Sequence, residues 1–192
     1  MKFERRAAMA TLLADRPKNL FVVPGLGSCT WDAFAAGDDD RNFYLWGGMG
    51  GTAMIGLGLA LAQPGLRVAV ITGDGEMLMG LGSLATIGVQ KPANLAIVIF
   101  DNGLYGETGG QASHTQGGVD LCDVARGCGI ERVLEIGDET QLRELAGLLA
   151  TSDRTLFARV PILPDEPPRA LPEKDGVIIK DRVRRAVEKV GT

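Results

Sequence analysis

Two apolar runs, each ending in a polar turn that contains glycine, most constrain what this chain can fold into. Val68 to Thr72 is rich in β-branched residues and ends in Gly73-Asp74-Gly75, while Leu95 to Phe100 is apolar throughout and ends in Asp101-Asn102-Gly103. A continuous apolar run bounded by turn signals reads as a strand covered on both faces. Glu76 to Gln90, between them, has helical spacing, so the stretch is predicted as a βαβ unit with parallel strands. The alternation extends in both directions. Leu20 to Val23 reads as a buried strand that turns sharply at Pro24-Gly25-Leu26-Gly27-Ser28, and Thr52 to Ala62 as a small-residue helix stopped by Pro64. Val133 to Ile136 reads as a strand, Thr140 to Leu149 as a helix and Thr155 to Val160 as a strand, with an entry helix over Met1 to Ala14. The predicted fold class is therefore α/β: a three-layer domain with a mostly parallel sheet, which binds ligands at the carboxyl ends of its strands.

A length of 192 residues suits one domain across 1–192, with a tail from about 161 where five of the nine prolines crowd before a helix at Lys180 to Val190. Glycine is concentrated, 23 of 27 lying between Gly25 and Gly129, so the backbone there makes many close approaches. A net charge of −4 without a basic stripe disfavours nucleic acid and anionic membrane as partners, which leaves a small molecule or another protein. Cys29, Cys122 and Cys128 form no CxxC pair, and no clustered histidines accompany them, so neither a zinc site nor a disulfide framework is expected and a reducing cytoplasm fits. The uncharged stretch Asn42 to Leu66 is broken by seven glycines and Pro64, and no spanning helix is expected from it. Residues 103–119, rich in Gly, Ser and Thr, read as a long functional loop.

At the first strand end, Asp74 is a hard oxygen ligand flanked by glycines at a helix start, where backbone N–H groups attract phosphate. Asn102, at the neighbouring strand end, offers an amide oxygen; a hard cation held between such oxygens and a diphosphate is magnesium chemistry. Taken alone, Gly-Asp-Gly and Asn-Gly are equally turn signals.

Together, Gly73-Asp74-Gly75, 25 intervening residues, Asp101-Asn102 and the upstream Trp46-Gly47-Gly48-Met49-Gly50 resemble the diphosphate-binding domain of thiamine diphosphate-dependent enzymes, over residues 20–118. The resemblance implies that Asp74, Asn102 and the carbonyl of Leu104 ligate Mg²⁺. It implies that the N–H groups of Gly75 and Glu76, within Gly73 to Glu76, hold the diphosphate with help from Ser28. Met49 matches the apolar wedge that bends the cofactor, and the Gly47 carbonyl the acceptor for its 4′-amino group. Asp101 departs from the pattern, which has asparagine there. The stretch Asp101 to Gln111, with its Thr-Gly-Gly-Gln, looks like the small decarboxylases of sulfopyruvate and phosphonopyruvate, specifically a separate β subunit. His114, the single histidine, stands as a candidate catalytic residue toward an anionic substrate. The implied function is the thiamine diphosphate- and Mg²⁺-binding subunit of a 2-oxo acid decarboxylase. Its partner would be a pyrimidine-domain (α) subunit supplying the activating glutamate. A carboligase subunit similar to acetolactate synthase and a non-catalytic cofactor-binding subunit are the alternatives.

Overall fold

The computed structural model describes residues 1–190; the expectation of one domain over 1–192 runs two residues beyond them. The elements in chain order are α1 (Arg5–Leu13), β1 (Leu20–Pro24), α2 (Ser28–Ala35), α3 (Thr52–Ala62), β2 (Arg67–Gly73), α4 (Asp74–Met79), α5 (Ser83–Gln90) and β3 (Leu95–Asp101). A short hairpin of β4 (Leu104–Tyr105) and β5 (Gln111–Ala112) follows, then α6 (Leu121–Gly127), β6 (Arg132–Glu135), α7 (Glu139–Thr151), β7 (Leu156–Pro161) and α8 (Gly176–Val190). The main sheet has the order β1-β2-β3-β7-β6, and every neighbouring pair in it is parallel.

Alternation along the strands divides the core in two. Ala69, Ile71, Val98 and Ala158 face one layer, against Met9 of α1, Ala33 of α2 and Leu145 of α7. Val68, Val70, Ile97 and Ile99 face the other, against Leu57 of α3, Met77 of α4, Leu84 of α5 and Leu121 of α6. β3 is buried along its whole length, as a strand covered on both faces must be. A third patch joins Phe21 and Leu66 to Val183 and Ala186, so α8 packs near β1 at one end of the sheet.

The helix expected over Glu76 to Gln90 is two helices, α4 and α5, with a break between them. A Cβ on Gly80 would lie 2.1 Å from the carbonyl oxygen of Gly50, so the loop that carries Met49 crosses the helix there and needs the break. The small-residue α3 fits its expectation for a similar reason: a Cβ on Gly56 would lie 2.1 Å from Val70 Cγ2, which sets how closely the helix approaches β2. The long loop folds back on itself as the β4–β5 hairpin. Two helices, α2 and α6, were not expected from periodicity, although Asp120 caps α6 by accepting from the Cys122 N–H at 2.7 Å. Among the described residues no helix is long and apolar enough to cross a membrane.

Candidate active site

β2 and β3 lie side by side in register, Gly73 opposite Phe100, so their polar ends emerge together. One cleft at this edge is lined by Leu26, Ser28, Met49, Gly73 to Glu76, Asn102, Leu104 and Glu107, among others. Most of the residues singled out in the sequence therefore share one space. Gly47 does not line that cleft; it is exposed on the loop before Met49, beside Trp46, whose indole N–H donates to the Glu173 carbonyl at 2.8 Å. His114 lies in an adjoining groove of about 620 Å³ with Met49, Gly75 and Tyr105, so Met49 borders both spaces.

Asp74 opens α4 and is only 1% exposed. Ser113 Oγ donates to its Oδ2 at 2.5 Å, and Thr115 Oγ1 lies 3.3 Å from the same oxygen. Burial pushes the carboxyl above its ordinary value, and the neighbouring charge of Asp101 adds to the effect, while the hydroxyl of Ser113 opposes it. A buried acid that resists ionisation at the edge of a cleft is a group whose charged form a cation would stabilise.

Asp101 is also buried, and three donors hold it. Arg159 Nε meets Oδ2 at 2.6 Å, while the Gly103 N–H and Thr115 Oγ1 both reach Oδ1 at 3.0 Å. Asn102 Oδ1 accepts from the Leu104 N–H at 2.8 Å, closing a turn that sets the start of β4. The Glu76 carboxylate is engaged by two threonines: its Oε2 accepts from Thr72 Oγ1 at 2.6 Å and its Oε1 from Thr52 Oγ1, tying the start of α3 to the end of β2. Only its backbone N–H remains to serve as the sequence suggested. Glu107, an exposed residue, brings its carboxylate to where a Cβ on Gly27 would stand, at one wall of the cleft. The Tyr105 ring lies over Gly75, where a Cβ would come within 2.6 Å of it, and its hydroxyl meets His114 Nδ1 at 2.6 Å.

Residues 27–157 match the family described as thiamine pyrophosphate enzyme, C-terminal TPP binding domain. The chain belongs to this family. Among relatives, the phosphonopyruvate decarboxylase of Streptomyces hygroscopicus is 43% identical over 161 residues, covering 83% of this chain and 39% of that one. The sulfopyruvate decarboxylase subunit beta of Methanothermobacter thermautotrophicus is 38% identical over 143 residues, 74% of each chain. This chain thus spans about two fifths of the first relative's length (39%) and three quarters of the second's (74%). In fold, the 4-hydroxybenzoylformate decarboxylase of Rhodococcus jostii superposes with a TM-score of 0.72 at 22% identity, over 85% of this chain and 33% of that one. The three-layer parallel architecture is accordingly the thiamine diphosphate-binding fold.

The residues present fit the cofactor that this fold implies. Among the described residues no cluster of three or more His, Cys, Asp or Glu is disposed to hold a metal by itself. A cation at Asp74 would therefore complete its shell with amide, carbonyl and phosphate oxygens, the donor set that Mg²⁺ takes when it bridges protein and diphosphate. Ser113, Thr115 and Arg159 escape sequence reasoning, because hydroxyls in a loop and an arginine on a later strand give no local signal; only the fold brings them to Asp74 and Asp101.

Proposed function

We propose that this chain is the thiamine diphosphate- and Mg²⁺-binding subunit of a 2-oxo acid decarboxylase of the sulfopyruvate type, acting in the cytoplasm with a separate pyrimidine-domain subunit. The observation that carries the reading is the single cleft shared by Ser28, Met49, Asp74, Asn102 and Leu104 at adjacent parallel strand ends. Two relatives whose names state decarboxylation of sulfopyruvate or phosphonopyruvate support the substrate class, a 2-oxo acid with an anionic sulfur or phosphorus group. The name "subunit beta" of one of them supports a partner. Three unpaired thiols, Cys29 and Cys122 among them buried, support a reducing compartment.

In this reading Asp74, the Asn102 amide oxygen and the Leu104 carbonyl hold Mg²⁺. The Gly75 and Glu76 N–H groups and the Ser28 hydroxyl hold the diphosphate. Both hydroxyls that reach Asp74 meet Oδ2, which leaves Oδ1 without a hydroxyl partner. Thiamine diphosphate, when bound, supplies a carbon nucleophile and an electron sink for the loss of carbon dioxide. Met49 would support the cofactor by packing, and the Gly47 carbonyl, outside the cleft itself, would accept from the cofactor's amino group. His114, held by Tyr105 through Nδ1 and lining the same groove as Met49, would contact the anionic end of the substrate. The activating glutamate that the family resemblance implies would come from the partner; Glu76 is engaged by two threonines, and Glu107 lines the cleft of Asp74.

The test is a product assay on the chain reconstituted with a pyrimidine-domain subunit, Mg²⁺ and cofactor. Carbon dioxide with the corresponding aldehyde from sulfopyruvate or phosphonopyruvate is expected. Acetolactate-type products instead would make it a carboligase subunit, and absence of any product would make it a non-catalytic one.

A further inference from the structure

Two carboxylates are buried side by side at the strand ends, Asp74 at 1% and Asp101 at 4% exposure, and the Thr115 hydroxyl touches both. Two uncancelled charges there would repel each other and an incoming diphosphate. Asp101 is nevertheless committed elsewhere: its Oδ1 is taken by the Gly103 N–H and Thr115, and its Oδ2 by Arg159. Arg159 reaches it from the neighbouring strand. It stands on β7 opposite Ile99 of β3 and Glu135 of β6, two residues short of Asp101's own level, and its guanidinium extends along the strand to span the difference. The Nη1 of the same guanidinium meets Glu135 Oε1 at 2.6 Å, so the side chain is fixed at both ends. The inner end is the stronger one, because the Asp101 side chain is 3% exposed while that of Glu135 is 55% exposed and screened by water.

We propose that Arg159 is a positioning residue for the metal and diphosphate site. By pairing with Asp101 it cancels the second buried charge, and it locks the loop from Gly103 to Thr115 whose Ser113 hydroxyl orients Asp74. The carboxylate at 101 is thereby a structural bolt and not a cation ligand. Its place in catalysis rests on the cofactor reading above; its role in holding the loop does not.

The experiment uses the full chain with Arg159→Met, Asp101→Asn, both together, and Glu135→Gln. Hydrogen–deuterium exchange without any ligand reads the loop. Arg159→Met is expected to speed exchange across residues 102–116, because a buried carboxylate is left unpaired. The double variant is expected to recover protection, since an asparagine at 101 still accepts from Gly103 and Thr115 and strands no charge. Glu135→Gln should change little. Calorimetric titration of thiamine diphosphate with Mg²⁺ reads the site: Arg159→Met should weaken binding by about tenfold or more, the scale of one charge-assisted hydrogen bond, and the double variant should return to within about threefold of the parent. If the double variant exchanges and binds as poorly as Arg159→Met, the arginine acts by packing and the proposal fails; it fails equally if Arg159→Met changes neither measurement. A parent chain that binds no cofactor even with a pyrimidine-domain subunit present would overturn the cofactor reading, and the exchange comparison would still decide the role of Arg159. Should Arg159→Met not fold, Arg159→Gln with and without Asp101→Asn gives the same comparison.

Discussion

Met49 borders both the cleft of Asp74 and the groove of His114, and it is an apolar side chain between two polar ends. Its part in the account is shape alone. Met49→Leu keeps volume and apolarity, so it should cost under about 1.5 kcal/mol of stability and little activity. Met49→Ala should lower kcat by roughly 100-fold with a much smaller change in cofactor affinity, because the diphosphate anchor stays while the reactive geometry loosens. Equal losses in kcat and affinity would contradict a wedge role. At the other side of the groove, the Tyr105 hydroxyl and His114 Nδ1 share a hydrogen bond of 2.6 Å, and donation by the phenol would leave the proton of the ring on Nε2. His114 is the single histidine, which makes its ring nitrogens directly readable by NMR. The Nε2–H tautomer is expected in the parent and a mixture of tautomers in Tyr105→Phe. Dominance of Nδ1–H in the parent would reverse the donor assignment.

At the scale of elements, α3 rests on β2 through Gly56, so Gly56→Val should overpack that contact by about 1–3 kcal/mol and lower Tm by about 2–4 °C per kcal/mol. Thermal unfolding checks it; an unchanged Tm would mean that α3 is free to retreat. α8 is held near β1 partly by charge, Arg182 meeting Asp38 at 2.9 Å, next to a turn in which Arg41 and Arg16 grip Asp39. Burial pulls the Asp39 carboxyl upward, but the two arginines outweigh it and hold the group down at about 2. With its folded value below the ordinary ~3.9, Asp39 contributes stability that is present above pH ~4 and lost as pH falls toward 2, on the order of 1 kcal/mol after screening by water. Urea unfolding at pH 5 and pH 2.5 should show a smaller acid loss in Asp39→Asn than in the parent, and an identical loss would remove this group from the balance. The strands were legible from sequence because burial on both faces of a parallel sheet demands continuous apolar runs, as in Leu95 to Phe100. The helix over Glu76 to Gln90 was legible as helix but not as two, because its break answers the backbone of Gly50, distant in sequence. Likewise Asp74 and Asn102 were readable from their strand ends, whereas Ser113, Thr115 and Arg159 join them only through tertiary structure.

For the whole molecule, several apolar side chains face outward: Met79 is 67% exposed, and Met54, Ile55 and Leu61 are exposed on α3. Single exposed apolar side chains are ordinary on any protein, so the dependence on a partner rests on the proposed two-subunit reading. The isolated chain is accordingly expected to decarboxylate sulfopyruvate, phosphonopyruvate or pyruvate negligibly with Mg²⁺ and cofactor in excess, and to gain activity with a pyrimidine-domain subunit. Robust turnover by chain shown by mass spectrometry to be free of any partner would contradict that dependence. The most direct test of the account is calorimetric titration of thiamine diphosphate, with and without Mg²⁺, into the parent and into Asp74→Ala, each mixed with a pyrimidine-domain subunit. Saturable binding that requires Mg²⁺ in the parent and is lost in a folded Asp74→Ala is the predicted result; equal, Mg²⁺-dependent affinity in both would place the metal and diphosphate elsewhere and contradict it.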